Sequence, residues 1–318
     1  MSRWNPSFQL SYDQAVPSSF IQEKAKALYV GAREQLVEHP LQTGLLLTVL
    51  LALLHGYTVS VFSPLLSIAA LSMVLFPVLM RHPLPWILLS AAAFVAVYQN
   101  LYLEDNHKFL LAYWLFAVFL TTLVKAENRR GFLIGHARFF LIFVFGAAAI
   151  QKSIDPTYVS SEFFAFTLLT DQRFELFMML LGVSGEELAA SREAKMVLEQ
   201  SYLNDMATNA VMLANSQRIN LIAFLVTWWD LLVQVVIAVM FAINRRTTDI
   251  IGHVCLMAFI LSTYFFAPVI GFGWTITIWA FLVSCRRFPN LAMTYIAVLP
   301  LLSIYQLPWG SFLTRLFA

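Results

Sequence analysis

Charge is the scarcest commodity in this chain. Asp, Glu, Lys and Arg make up 12% of its 318 residues, against 60% hydrophobic residues. At a mean hydropathy of +0.74 there is too little polar surface to close a water-soluble globule of this length, and the chain belongs in a bilayer. Regular alternation of apolar and polar residues is missing, and the apolar runs are rich in Leu, Ala and Phe, which excludes an outer-membrane barrel and leaves a helical bundle. Cysteine is reduced to Cys255 and Cys285, both near the cytoplasmic ends of their runs in the topology argued below. A structural disulfide is not expected on that reducing side, and the pair reads as small buried apolar side chains. No His/Cys/Asp/Glu cluster has metal-ligand spacing, and no Gly-x-Ser-x-Gly, Walker A or dinucleotide motif occurs. Metal, nucleotide and Ser-His-Asp chemistry therefore find no support, and no nucleic-acid partner is expected. No internal repeat is visible, which counts against transporter folds built on duplicated halves. Pro6, Pro17 and scattered charges precede any long apolar run, so no cleavable leader is expected.

Apolar runs recur at 43–60, 64–79, 84–100, 108–124, 137–151, 220–243, 250–268, 272–285 and 291–308, which gives about nine spans. Several fall short of the ~17–25 residues that a perpendicular crossing needs. These must be re-entrant, or continue into polar residues shielded by neighbouring helices. With the N-terminus cytoplasmic, the inner segments hold Arg3, Lys24, Lys26, Arg33, Arg81, Lys125, Arg129, Arg130, Arg138, Arg245, Arg246, Arg286 and Arg287, most of the basic residues. The positive-inside rule favours that orientation, with the C-terminus and Lys152 outside. Residues 1–42 form a cytoplasmic amphipathic segment, in which Ile21, Ala25, Leu28, Ala32 and Leu36 share a face suited either to the headgroup layer or to docking on the bundle. Residues 43–318 form one all-α transmembrane domain. Its main interruption, 152–219, carries more acids than bases and reads as an extracytoplasmic cap of short helices that could close a site from outside.

Few side chains in such a chain can carry chemistry. Lys152 ends the run from Ala137, after Gln151 and three residues before Asp155. Either it snorkels to water and pairs with Asp155, or it sits in a poorly solvated pocket and becomes a general base. Asp230 lies inside the run 220–243 after Trp228 and Trp229, with Thr227 and Gln234 on the same helical face. A carboxylate there marks a pocket or a buried pair, with Arg or His on a neighbouring span as the expected partner. Asn106 and His107 stand at the outer mouth of the fourth run, and His253 just inside the seventh.

The order Asn106-His107, Asn128-Arg129-Arg130, Arg138 through Gln151-Lys152-Ser153-Ile154-Asp155-Pro156-Thr157-Tyr158, then Trp228-Trp229-Asp230, Arg245-Arg246 and His253 resembles the membrane core of the vitamin K-dependent gamma-carboxylases and their bacterial HTTM relatives. The resemblance covers most of 60–290. It implies a bacterial inner-membrane protein in which a reduced naphthoquinone is deprotonated and oxygenated, giving a base that lets a glutamate gamma carbon capture carbon dioxide. It implies Lys152, His107 and Asn106 as catalytic residues, and Asp230, His253, Trp229 and Gln151 around the quinone.

The departures are specific. The carboxylases carry a large soluble domain after the bundle, whereas this chain stops at Ala318, ten residues past its last run. Lys152 is a single lysine where they have two, Tyr158 replaces a tryptophan, and Ser160-Ser161 replaces a nearby glycine. The alternative expectation is therefore a non-catalytic membrane subunit or partner protein whose pocket holds lipid or quinone. A transporter built on Asp230, Gln99, Asn100 and Gln151 stands third.

Overall fold

A computed structural model describes residues 18–55, 63–99, 106–203, 217–266 and 269–305, and among them every regular element is helical. The helices are α1 (Ser18–Val37), α2 (Pro40–His55), α3 (Ser63–Leu75), α4 (Pro83–Gln99), α5 (Asn106–Leu123), α6 (Arg129–Ile154), α7 (Pro156–Val159), α8 (Glu162–Thr170), α9 (Glu175–Leu180), α10 (Gly185–Leu203), α11 (Gln217–Ile243), α12 (Arg246–Phe266), α13 (Ile270–Ser284) and α14 (Pro289–Tyr305). Proline sets many of the starts. Pro40, Pro83, Pro156 and Pro289 are first residues of helices, where the absent N–H costs nothing. Pro77 halts α3 and a 3-10 turn follows over Pro77–Arg81.

Among the described residues, three helices are long and apolar enough to cross a bilayer: α6, α11 and α12. At 26 and 27 residues, α6 and α11 span about 40 Å at 1.5 Å per residue, more than a ~30 Å hydrocarbon layer. A fourth crossing results if α1 and α2, bent by 88° at their junction, count as one broken span. The run 137–151 shows how a short apolar stretch becomes a full span, because α6 begins eight residues earlier, at Arg129. Arg129 serves the end of α5, donating to Val124 O and Thr122 O at 2.9 and 2.6 Å, while Arg138 is neutralised within the bundle.

The remaining apolar helices are shorter, and burial explains the most apolar of them. Ile276, Ile278, Trp279, Ala280, Phe281 and Leu282 of α13 are all fully buried, because α13 packs on α2, α5, α6, α12 and α14. A helix apolar on every side is stable when sheathed by others. Trp279 of α13 stacks on Phe140 of α6 with ring centroids 5.1 Å apart, and meets Trp114 of α5 edge-on at 5.8 Å. Trp114 in turn donates its indole N–H to Thr48 of α2 at 2.9 Å. Exposed side chains such as Phe139, Phe143 and Ile150 on α6, and Leu221, Leu225, Leu232 and Val239 on α11, form an apolar exterior suited to acyl chains rather than water.

Helices α6 and α11 run antiparallel, since Arg138 reaches Phe241 O while Lys152 reaches Asp230. This sorts charge by end. Arg81, Lys125, Arg129, Arg130, Arg245, Arg246, Arg286 and Arg287 lie at one end of the bundle. The acid-rich α7 to α10 cover the other. Leu168, Leu169, Phe174, Met178, Val183 and Leu188 give these short helices a core of their own, closed by Ile219 and Ala223 at the start of α11. At the basic end, α1 packs on α2 and α14, touching the latter through Tyr29 and Asn290, and leaves Leu28 largely exposed. Both cysteines carry free thiols.

Candidate functional site

Three elements deliver side chains to one carboxylate beneath the short-helix cap. Pro156 cannot continue α6, so the chain turns after Ile154 and starts α7, which Asp155 caps by accepting the Thr157 N–H at 2.9 Å. The Thr157 hydroxyl also donates to Asp155 at 2.8 Å and holds this carboxyl below its ordinary range. Asp155 is thereby committed to its own turn. Lys152, in the last turn of α6, instead crosses to α11 and pairs with Asp230 at 2.5 Å. The expected Lys152–Asp155 pair is thus replaced, and the partner of Asp230 is a lysine rather than an arginine or histidine.

Asp230 also accepts the Tyr158 hydroxyl on the same oxygen as Lys152, and Gln234 Nε2 at 2.7 Å on the other. Burial, and then the carboxylate beside it, push the Tyr158 phenol well above its ordinary value, so it remains a protonated donor. Its ring is held by Phe163 and Phe164, each with centroids 5.5 Å away, and Lys152 Nζ lies 5.1 Å from the ring centre. Ser161, at the corner from α7 to α8, takes a left-handed backbone at φ 69°. Glycine would meet this conformation without strain.

The turns of α11 flanking Asp230 carry uncommitted hydrogen-bonding groups. Thr227 Oγ1, Trp228 Nε1 and Gln234 Oε1 are buried and have no partner. Trp228 packs into the cluster of Ala149, Tyr158, Leu231 and Phe164, which places its indole among the residues of the site. Unpaired buried polar atoms are costly, and Thr227, Trp228 and Gln234 leave two donors and two acceptors unused on the turns of α11 that carry Asp230.

The other expected site residues are distributed differently. Asn106 and His107 open α5 at the same end of the bundle as Lys152, and their side chains lie outside the described set. Gln151 is exposed on α6. Trp229 is half exposed and donates to Ser262 of α12 at 3.2 Å, turned away from Asp230 by one helical step. His253 is fully buried near the basic end, against Phe241 at 4.9 Å and with Nδ1 3.1 Å from the Tyr295 hydroxyl. Phe241 stands eleven residues, about 16 Å, along α11 from Asp230. Lys152 and Asp230 therefore meet, but Asp230, His253, Trp229 and Gln151 do not line one pocket.

A second ionic cluster accompanies His253. Asp249, 1% exposed, accepts two bonds of 2.9 Å from Arg138 of α6 and pairs with Arg287 beyond α13. Reading runs of hydropathy passes over Asp249. A lone Arg138 inside an apolar helix is the signal, since it demands a counter-ion on a neighbouring span. Between the two clusters, Phe145 and Phe259 pack edge-on at 5.2 Å with Ile237 and Ala238 in the same core.

Comparison with profiles of known families, with curated proteins and with solved structures gives no match.

Proposed function

We propose that this chain is an integral membrane protein of about nine crossings, related to the HTTM and gamma-carboxylase group, with a proton-transfer site for a reduced quinone beneath α7 and α8. In a bacterial inner membrane the basic end faces the cytoplasm and the site faces outward. The observation that carries this reading is the conjunction of the Lys152–Asp230–Tyr158 network with the unpartnered Thr227, Trp228 and Gln234 groups around it.

The residues fit such a ligand in kind. Trp228 Nε1 and Thr227 Oγ1 would donate to a carbonyl-type oxygen, and Gln234 Oε1 would accept from a hydroxyl. A reduced naphthoquinone would supply an acidic hydroxyl and the electrons for reaction with oxygen. The Lys152–Asp230 contact presents the Asp230 carboxylate as the proton acceptor. Asp230 takes the substrate proton while the Lys152 ammonium stays in place to hold the negative charge left behind. Tyr158 and Gln234 fix the carboxylate in position. The expected lysine base thus becomes a lysine–aspartate pair acting together.

Turnover of chemically reduced naphthoquinone with oxygen and bicarbonate tests this, with epoxide formation compared between wild type, Lys152→Ala and Asp230→Asn. Epoxide from wild type alone supports the reading. One observation favours a second reading, a non-catalytic membrane subunit or partner: Asp230 is already satisfied on both oxygens and ties α6, α7 and α11 together. Bound quinone with no turnover from any of the three proteins would select it.

A further inference from the structure

The basic end of the bundle holds a cleft of about 240 Å³, bounded by the start of α2, the 3-10 turn over Pro77–Arg81 and the turn from α5 to α6. Its floor is apolar, from Leu41, Leu45 and Met80, and its polar lining includes Gln42, Arg81 and Arg129. No Asp or Glu lines it, and Glu127, on the neighbouring turn, is exposed outside the lining. Two arginines without a counter-ion at one concavity repel each other and favour an anion.

Both are free to take one. The two bonds from Arg129 to the end of α5 use Nε and Nη2, fixing the plane of the guanidinium and leaving Nη1 uncommitted. Arg81 makes no hydrogen bond or ion pair among the described residues. The apolar floor narrows the class of anion. A free phosphate gains nothing from Leu41, Leu45 and Met80, whereas a lipid places its glycerol and first methylenes there. Val78 and Leu123, exposed by 61% and 59%, lie next in sequence to the turns that line the cleft and offer apolar surface for an acyl chain.

We infer that this cleft binds the phosphate headgroup of an anionic phospholipid, with Arg81 and Arg129 clasping its oxygens. Arginine suits the task because its planar fork matches phosphate geometry. The cleft is smaller than the ~300–1,000 Å³ of sites that enclose a whole small molecule, as expected where only a headgroup is held and the tails stay in the bilayer. This inference is independent of the chemistry proposed at Lys152 and Asp230.

Delipidated protein in neutral detergent, titrated with dioctanoyl phosphatidylglycerol, dioctanoyl phosphatidylcholine and inorganic phosphate, tests it by native mass spectrometry and thermal unfolding. Phosphatidylglycerol is expected to bind and raise the unfolding temperature. Arg81→Gln should weaken binding about fivefold or more, the loss of ~1 kcal/mol per basic residue at a lipid surface. Arg81→Lys should recover part of the loss, and Arg130→Gln, an exposed neighbour outside the lining, should leave affinity unchanged. Arg81 is exposed and unpartnered, so its variants should fold normally. Unchanged affinity in Arg81→Gln, or equal binding of phosphatidylcholine, would overturn the site. Inorganic phosphate binding as tightly as the lipid would overturn the lipid assignment and leave a simple anion site.

Discussion

Replacing Asp230 by asparagine keeps the shape of the side chain and removes its charge, so the consequences can be worked out from its three partners. The new amide presents an N–H group to one of them, and all three are donors: Lys152 Nζ, the Tyr158 hydroxyl and Gln234 Nε2. At least one hydrogen bond becomes a donor–donor conflict, and the Lys152 ammonium loses its counter-ion. A hydrogen bond to a charged group contributes about 1.5–3 kcal/mol. Side-chain exposures of 28% for Lys152 and 15% for Asp230 leave some access to water, which moves the expected loss to about 2 kcal/mol. Lys152→Met strands the carboxylate instead and should cost a similar amount, while the double variant Lys152→Met/Asp230→Asn removes the stranded charge altogether. Its loss should fall short of the sum of the singles by about 1–2 kcal/mol. Equilibrium unfolding in mixed micelles, with free energies compared around this double-mutant cycle, measures the coupling. A coupling within about 0.5 kcal/mol of zero, the range of independent sites, would refute the ion pair and with it the site built on Asp230.

Two further predictions concern stability away from that pair. Asp249→Asn leaves the Arg138 and Arg287 guanidiniums without their shared counter-ion, and should cost about 2–4 kcal/mol, more than Asp230→Asn because Asp249 is 1% exposed. A loss under about 1 kcal/mol in the same unfolding assay would contradict a buried carboxylate held by both arginines. Ser161→Gly should stabilise by about 1 kcal/mol, since it relieves the left-handed backbone and removes a buried hydroxyl with no partner. A destabilised variant would show that Ser161 is not held in that conformation.

Much of the helical class was legible because it follows from composition. Each of the nine apolar runs lies largely within helices, and the proline positions account for several boundaries between them. The number of crossings was not legible to the same degree. Hydropathy measures the affinity of a segment for a dry environment and cannot tell lipid from protein, so α13, sheathed by neighbouring helices, and α11, with its exposed apolar face, read alike. The reach of α6 was equally hidden, since charges and glycines interrupt the apolar residues of its first turns, and the structure accommodates the charges by committing Arg129 to α5 and Arg138 to Asp249.

The candidate site divides along the same line. Lys152 and Asp230 stood out singly, because a charge in an apolar run is costly enough to require a reason. Local order supplied Asp155 as the nearest partner for the lysine, and the turn chemistry that consumes Asp155 lies in the same short stretch, as an acid before Pro156 and Thr157. The face shared by Thr227, Asp230 and Gln234 could be read from helical spacing alone. So could the placement of His253 at the end away from Lys152, since it follows Arg245 and Arg246 at the start of its run. Tyr158 as a donor to Asp230 could not.

Sequence by itself determined an apolar helical chain with segments suited to a bilayer, the charges that must be accounted for, and the short-helix segment that covers one end. Tertiary structure alone decided which charges meet. Lys152 and Asp230 are 78 positions apart, and their contact exists because α6 and α11 pack antiparallel in one register. A slip of one residue along α11 would turn Asp230 by about 100° away from Lys152. That register is fixed by side-chain packing and by the second pairing of Arg138 with Phe241 and Asp249, none of which any single stretch of sequence contains.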